Sequence, residues 1–368
     1  MYPHDMATND HQFAMSSNSQ QPWWSRDSIR AVTLYPWATM DVDAVIADLA
    51  DKSVSTVMVV CKESDGRVFY DSDVAPSQVP ERDILAEIVE ATDQRDMHAV
   101  PVFLTLCDKF LLERNPGYVQ IARDGTEIRY PNVSFEWMHW VCPSYPAVRD
   151  HLHSLAEEIS EYNVDGIRFQ NIEFQPIRNG ESNYRSCFCD ACLAERAEDD
   201  PEAVDEDPWQ THRIETNAKL LATLAEPFDD DQMVDLQLEV FADMESTLQD
   251  SSHQLGLDIE ALAAHVDTLS PRTAHIDMDV HPLWIRDVTR SLVNAFKKPI
   301  LPSIRTASRV DSSDQLSEDE LHTAIQMALH GGAHGVSLFS AGANIGRLTE
   351  DQWQVVMKTF DRMKMIEN

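Results

Sequence analysis

Val164-Asp165-Gly166-Ile167-Arg168-Phe169-Gln170 reads as a short apolar strand, and a helical pattern over residues 145–162 leads into it. This pairing of amphipathic helix and short strand is the unit from which the rest of the chain is built. Working outward, strand patterns recur over 29–35, 56–61, 99–106, 166–172, 234–241, 266–270, 299–304 and 335–339. Helical patterns alternate with them over 42–52, 81–94, 145–162, 211–227, 258–265, 282–296, 317–331 and 349–363. Ser317-x-x-Glu320 has the form of a capping box at one helix start, and Gly331-Gly332 that of a stop at its end. Eight strand-helix units in about 340 residues predict an α/β fold, a single-domain (β/α)8 TIM barrel, whereas a doubly wound sheet usually has five or six strands. The expected organisation is a disordered tail over 1–25, rich in Asn, Ser, Gln and His, then a barrel over 26–368. A loop insertion of about 173–210 follows the fourth strand.

With 368 residues, 43% of them hydrophobic, the chain is long enough to bury a substantial core. Its charge is unusual: 63 Asp plus Glu against 29 Lys plus Arg give a formal net charge of -34. Such an excess disfavours a phosphate backbone as partner and is a trait of halophile proteins, so no nucleic acid and a high-salt cytoplasm are expected. No apolar run approaches the ~18 residues of a membrane span, and residues 1–21 lack the basic and apolar regions of a secretory signal. A cytoplasmic protein without a membrane partner is the expectation. Six cysteines agree with a reducing compartment.

Three of those cysteines form a tight cluster, Cys187-Phe188-Cys189-Asp190-Ala191-Cys192. Three thiols in C-x-C-x-x-C cannot all pair with one another, and with a fourth thiol from Cys142 they have the donor set of a closed, four-coordinate structural Zn2+ site. Free buried thiols are the alternative. Cys61 and Cys107, at strand ends, read as packing thiols suited to a barrel interior.

Barrel enzymes carry their chemistry at the C-terminal ends of the strands. In strand order the polar residues there are Lys62, Asp108, Gln170 with Asn171 and Glu173, Glu239 with Asp243, Arg272, Arg305, and Ser340 with Asn344, with Tyr35 and Trp37 after the first strand. Aromatics from the loop after the third strand, Phe135, Trp137, His139 and Trp140, stand ready to add stacking faces. Carboxylates beside aromatic platforms suit a sugar: rings stack on C–H faces, while carboxyl groups protonate a leaving oxygen and stabilise an oxocarbenium-like centre. Lys62, Asp108, Trp140, Arg168, Gln170, Asn171 and Arg305 are the candidate substrate contacts, and Glu173 and Glu239 the candidate catalytic pair. His275, Asp277, Asp279 and His281 alternate in a way that suggests a second metal site, although Asp-x-Asp is frequent on an acidic surface. The run 198–207 reads as a solvated loop.

The order Cys142-Pro143-Ser144-Tyr145-Pro146-Ala147-Val148-Arg149, then Tyr162-Asn163-Val164-Asp165-Gly166-Ile167, then Cys187-x-Cys189-x-x-Cys192 resembles barrel glycoside hydrolases. It is most similar to the zinc-containing β-galactosidases of clan A and to a group of hypothetical glycosyl hydrolases. The resemblance implies a structural zinc held by one upstream cysteine and the downstream cluster, 45 residues apart here. Lys62-Glu63-Ser64-Asp65-Gly66-Arg67-Val68-Phe69-Tyr70 resembles the second-strand loop of the hypothetical group.

Departures from the pattern bear on function. Asp165-Gly166-Ile167-Arg168-Phe169-Gln170 is similar to the fourth strand of amylase-type barrels, where the last position is a carboxylate nucleophile; an amide at Gln170 cannot take that role. Asn171-Ile172-Glu173 has the residue types of the clan A acid/base motif with one extra residue, and the seventh strand ends in Arg305 rather than Glu. Two functions remain. One is an intracellular glycoside hydrolase with Glu173 as general acid/base and Glu239 as nucleophile or partner base. The other is a barrel that binds a carbohydrate or polyol without hydrolysing it. Any homo-oligomer is expected to use barrel surfaces.

Overall fold

Eight parallel strands, each hydrogen-bonded to the next and the last to the first, close a barrel in the computed structural model. The residues described are 21–128, 140–175, 186–197, 206–240, 255–307, 315–339 and 348–367. The strands are β1 (Ile29–Leu34), β2 (Thr56–Lys62), β3 (His98–Leu104), β4 (Gly166–Gln170), β5 (Met233–Leu238), β6 (Thr268–Thr273), β7 (Ser303–Arg305) and β8 (Gly335–Phe339). All eight predicted strands are present, and their order around the barrel follows the chain. The shortest, β7, loses the first part of its predicted span because Pro302 has no N–H to donate; Ile300 keeps only an isolated bridge to Leu269.

The predicted helices pack outside the sheet, among them Val42–Asp51, Ile84–Asp93, Pro146–Ser160, Leu283–Phe296 and Glu318–His330. Side-chain caps start several of them. Asp41 accepts from the Ala44 N–H at 3.1 Å and Asp83 from the Ala86 N–H at 2.9 Å, each a contribution of about 1 kcal/mol. Ser317 and Glu320 form the reciprocal capping box read from the sequence. Short helices over Trp23–Arg26, Lys109–Arg114 and His275–Met278 were not foreseen, because four to six residues are too few to display a 3.6-residue period.

The first of these corrects the boundary of the expected tail. Trp24 is buried, and Trp23 stacks on His98 with ring centroids 3.8 Å apart and donates from Nε1 to the Asp165 carbonyl at 3.2 Å. Two large rings anchored at the bottom of the barrel bring residues 22–26 into the fold; residues 1–20 lie outside the described residues.

Side chains alternate between the barrel interior and the helix layer. Leu236 and Leu238 on β5 and Ile167 and Phe169 on β4 join the outer core, as do Cys61 and Cys107, which are packing thiols of that layer rather than of the interior. Burial pushes the Cys61 thiol up to about 12, which keeps it protonated. The interior is divided. Over β1 to β3 it is apolar, with Ile29, Ala31, Met58, Val60, Val100 and Val102 in one cluster. Over β4 to β8 it is polar, built on Arg168, Asp235, Gln237, Ser270, Ser303 and Ser337. Close strand approach demands glycine at two entries: a Cβ on Gly166 would fall 2.2 Å from the Met233 carbonyl oxygen, and one on Gly335 2.1 Å from that of Ile29.

Arg168 belongs to this interior and not to the rim. Two residues below Gln170, its guanidinium donates from Nε to Asp235, from Nη2 to Ser270 Oγ at 2.8 Å and from Nη1 to Ser337 Oγ at 3.2 Å. Asp235 in turn accepts from Thr268 Oγ1 at 2.5 Å and Ser270 Oγ at 2.8 Å. The expectation that Arg168 contacts substrate is corrected by alternation: facing inward one layer down, it has its donors engaged with strands β5, β6 and β8.

Candidate functional site

The top of β4 is held by its neighbour. Thr105 N–H donates to the Gln170 carbonyl at 2.8 Å and Leu106 N–H to that of Asn171 at 3.0 Å, so the chain leaves the sheet at a defined point. Asn171 then adopts φ +54°, a left-handed conformation that Asn tolerates better than most residues, and turns the chain. Its Nδ2 donates to Glu173 Oε1 at 3.2 Å. Glu173 is buried, and burial is the main cause that raises its carboxyl above the ordinary range; the Arg272 guanidinium opposes this and the Glu239 carboxylate adds to it.

Glu239 and Arg272 therefore lie within electrostatic reach of Glu173. Glu239 continues β5, and Arg272 on β6 donates from Nη1 to Glu239 Oε2 at 2.5 Å. Its other nitrogens, Nε at 3.1 Å and Nη2 at 2.8 Å, donate to Gln237 Oε1, whose own Nε2 donates to Ser303 Oγ at 3.3 Å. One arginine thus fixes the end of β5 and sets a counter-charge beside Glu239. On the next strand Arg305 lies 3.3 Å from Asp277 Oδ2 through Nε and packs over the Phe339 ring at 4.6 Å. The structure places Asn171, Glu173 and Glu239 within reach of one another, with Gln170 at the end of β4 and Arg305 at the end of β7.

Other candidates are turned into the protein. Lys62 is fully buried, donates to the Leu104 carbonyl at 2.8 Å and the Cys107 carbonyl at 2.9 Å, and stands at ion-pair distance, 3.1 Å, from Asp108 Oδ2. Asp108 caps the following helix through the Leu111 N–H at 2.8 Å. Burial pushes its carboxyl up, but Lys62, His151 and the Leu111 N–H outweigh it and bring it down to about 2. Trp140 is buried in the outer core and bridges to Cys107 by its backbone, so its ring offers no open stacking face. The expected substrate contacts of Lys62, Asp108 and Trp140 are replaced by roles in holding the loop after β3. Phe135, Trp137, His139, Asp243, Ser340 and Asn344 lie outside the described residues.

The cysteine cluster assembles as the spacing suggested. The sulfurs of Cys142, Cys187, Cys189 and Cys192 are buried and all within 4.8 Å of one another, with Cys142 3.4 Å from Cys192 and 3.5 Å from Cys189. Tetrahedral Zn–S bonds of about 2.3 Å place sulfurs about 3.8 Å apart, so the donor set fits zinc. Backbone N–H groups of Ile121 and Cys189 point at Cys187 Sγ from 3.3 Å and 3.4 Å, a polar surround suited to thiolate. Contacts with the other three sulfurs hold the Cys189 thiol far below its ordinary range. Among the described residues this is the one group of three or more metal-binding side chains; His275, Asp277, Asp279 and His281 do not converge.

Sequence reasoning missed several contributors. Gln120 ties the cluster to the site: its Oε1 accepts from the Gln175 N–H at 3.0 Å and from Ser186 Oγ at 2.8 Å, at both ends of the segment that leaves β4. Nothing in its local sequence marks it. Asp235 and Gln237 were legible, because with Glu239 they form an i, i+2, i+4 polar stripe that must face one way in a strand.

Residues 41–171 match the family described as Hypothetical glycosyl hydrolase 6. A search of the curated proteins returns no match. Solved structures similar in fold include alpha-L-fucosidase isoenzyme 2 from Paenibacillus thiaminolyticus, with TM-score 0.68 and 15% identity over 92% of this chain and 49% of that one. The glycoside hydrolase domain of PgaB (BpsB) from Bordetella bronchiseptica gives TM-score 0.68 and 14% identity over 90% of this chain and 98% of that one. The polyextremophilic β-galactosidase from the Antarctic haloarchaeon Halorubrum lacusprofundi gives TM-score 0.64 and 14% identity over 92% of this chain and 58% of that one. The chain thus spans about half the length of the fucosidase and somewhat more of the β-galactosidase. These neighbours are glycoside hydrolases with a barrel fold, and at such identities the likeness is one of fold.

Proposed function

We propose that this barrel is a glycoside hydrolase in which Glu173 is the general acid/base and Glu239 the ionised partner. The observation that carries the reading is the difference in surroundings of two neighbouring carboxyl groups. Burial raises the Glu173 carboxyl above its ordinary range, while Glu239 accepts a hydrogen bond from the Arg272 guanidinium at 2.5 Å and has that positive charge beside it. Carboxyl groups so separated perform opposite tasks, one giving a proton to the leaving oxygen and the other facing the developing positive charge at the anomeric carbon. Asn171, bonded to Glu173, sets the direction of its carboxyl.

Zinc at Cys142, Cys187, Cys189 and Cys192 is proposed as structural: four thiolates leave no open position for water, and the metal would pin the segment that follows Glu173. The net charge of -34 supports a high-salt cytoplasm as the setting. A second reading is favoured by one residue. Gln170 stands where amylase-type barrels have a nucleophile, which suits a barrel that binds a carbohydrate without cleaving it.

The two readings separate in a screen of chromogenic glycosides at high salt on the wild type, Glu173→Gln and Glu239→Gln. Hydrolysis that falls by about 10²–10⁴-fold in Glu173→Gln supports the acid/base role. Activity unchanged in that variant removes Glu173 from the mechanism, and a wild type inert on every glycoside it binds favours the second reading.

A further inference from the structure

Every inward-facing cation of the polar half-barrel and its mouth, among the described residues, has its own carboxylate. Arg272 Nη1 lies 2.5 Å from Glu239 and Arg305 Nε 3.3 Å from Asp277, while Arg168 is joined to Asp235. The remaining carboxyl, Glu173, is the one that burial shifts toward its neutral form. In a chain of net charge -34 this one-to-one balance is local to the barrel. Two uncharged polar atoms at the same level are buried with no hydrogen-bond partner: Nε2 of Gln170, 3% exposed, and Oγ1 of Thr33, 0% exposed. Thr33 faces inward because Val32 and Leu34 belong to the outer core, and it is in register with Phe339, the ring beneath Arg305.

Paired charges and unpaired neutral donors together define what fits above them. An anionic group on a sugar needs a cation, and each already stands within ion-pair distance of a carboxylate, Arg305 Nε without a hydrogen bond to it; a cationic group needs a carboxylate, and the same distances hold. Bringing an uncompensated charge into such a site is far costlier than bringing a hydroxyl. A buried amide N–H without an acceptor, in contrast, gains from any ligand oxygen that reaches it.

We propose that the floor of this barrel selects an uncharged sugar, with a ligand oxygen accepting a hydrogen bond from Gln170 Nε2, and rejects uronic, phosphorylated and amino sugars. This rests on the carbohydrate reading above and adds the substrate class to it.

The test is binding to the full-length Glu173→Gln variant, measured by saturation-transfer NMR and calorimetry. The medium is about 1 M KCl, where a Debye length of about 3 Å removes the general repulsion of anions by the acidic surface. The probes are methyl galactoside, glucoside and fucoside, set against methyl galacturonide, glucuronide, the 6-phosphates and methyl glucosaminide. At least one neutral glycoside is expected to bind, with its charged counterparts at least about tenfold weaker. Gln170→Leu is expected to weaken the neutral ligand about three- to tenfold while leaving the thermal midpoint unchanged or raised, since the amide has no protein partner to lose.

A charged sugar that binds as tightly as its neutral counterpart overturns the proposal, and if the wild type also cleaves it the hydrolase reading stands. A neutral sugar that binds but is never cleaved by the wild type leaves the proposal standing and removes the hydrolase reading. Failure of all these sugars to bind overturns both, and unchanged affinity in Gln170→Leu removes Gln170 as the contact.

Discussion

Replacing Asp235 by Ala strands a cation in the barrel. Arg168 and Asp235 both have fully buried side chains, and the carboxylate also accepts from Thr268 Oγ1 at 2.5 Å and Ser270 Oγ at 2.8 Å. In Asp235→Ala the guanidinium retains only the neutral oxygens of Ser270 and Ser337, at 2.8 Å and 3.2 Å. Removing one partner of a buried pair costs about 3–5 kcal/mol, against a total stability of about 5–15 kcal/mol for a typical domain. Replacing both partners by apolar residues of similar volume, as in Arg168→Met with Asp235→Leu, is expected to restore most of that loss. Urea unfolding followed by tryptophan fluorescence reads both variants, and the cycle isolates the coupling. Since neither side chain is exposed, the cost is expected to be the same at about 0.15 M and 1 M salt, unlike that of a surface pair. A loss below about 1 kcal/mol in Asp235→Ala, or a double variant as unstable as the sum of the singles, would refute the buried-pair account.

Further outcomes follow from the site and the cysteines. Protein purified without chelator is expected to carry one zinc per chain, and Cys189→Ser to lose it and melt at least about 5 °C lower; metal analysis showing no zinc in the wild type removes the proposed centre. Asp108, brought down to about 2 from its ordinary 3.8, stabilises the fold above pH 3.8, and this contribution disappears as pH falls through 2. It amounts to about 2 kcal/mol, so the stability gap between wild type and Asp108→Asn is expected to narrow over that window; a gap constant with pH contradicts the Lys62–Asp108 assignment.

The barrel was legible because its signals are short-range and repeated. Apolar runs, Asp and Ser caps and the Gly331-Gly332 stop each act within one turn or strand, and eight repeats leave little choice of topology. The Cys142 and C-x-C-x-x-C grouping was legible because thiols have few reasons to cluster. Direction was harder to read than position. Lys62, Asp108 and Arg168 sit at or near strand ends, yet their side chains are claimed by neighbouring strands and loops, information absent from any local window. Trp140 failed as a platform for the same reason: the bridge that buries it pairs Trp140 with Cys107, 33 residues away in the chain. Glu173 and Glu239 were singled out by type and place, but the residue that sets their surroundings apart, Arg272, comes from a third strand.

The division of the barrel interior bears on how the fold assembles. The inner faces of β1 to β3 are mainly apolar and can associate through neighbours in sequence, so that arc gains stability before the sheet is closed. The arc from β4 to β8 gains little until Arg168 has both Asp235 from β5 and Ser337 from β8, the latter 169 residues further along the chain. A half-built polar arc leaves a guanidinium without its partners in a drying interior, an unfavourable intermediate. Ring closure and charge pairing are thereby made one cooperative event, and the same network that keeps the finished barrel neutral inside opposes its assembly by halves.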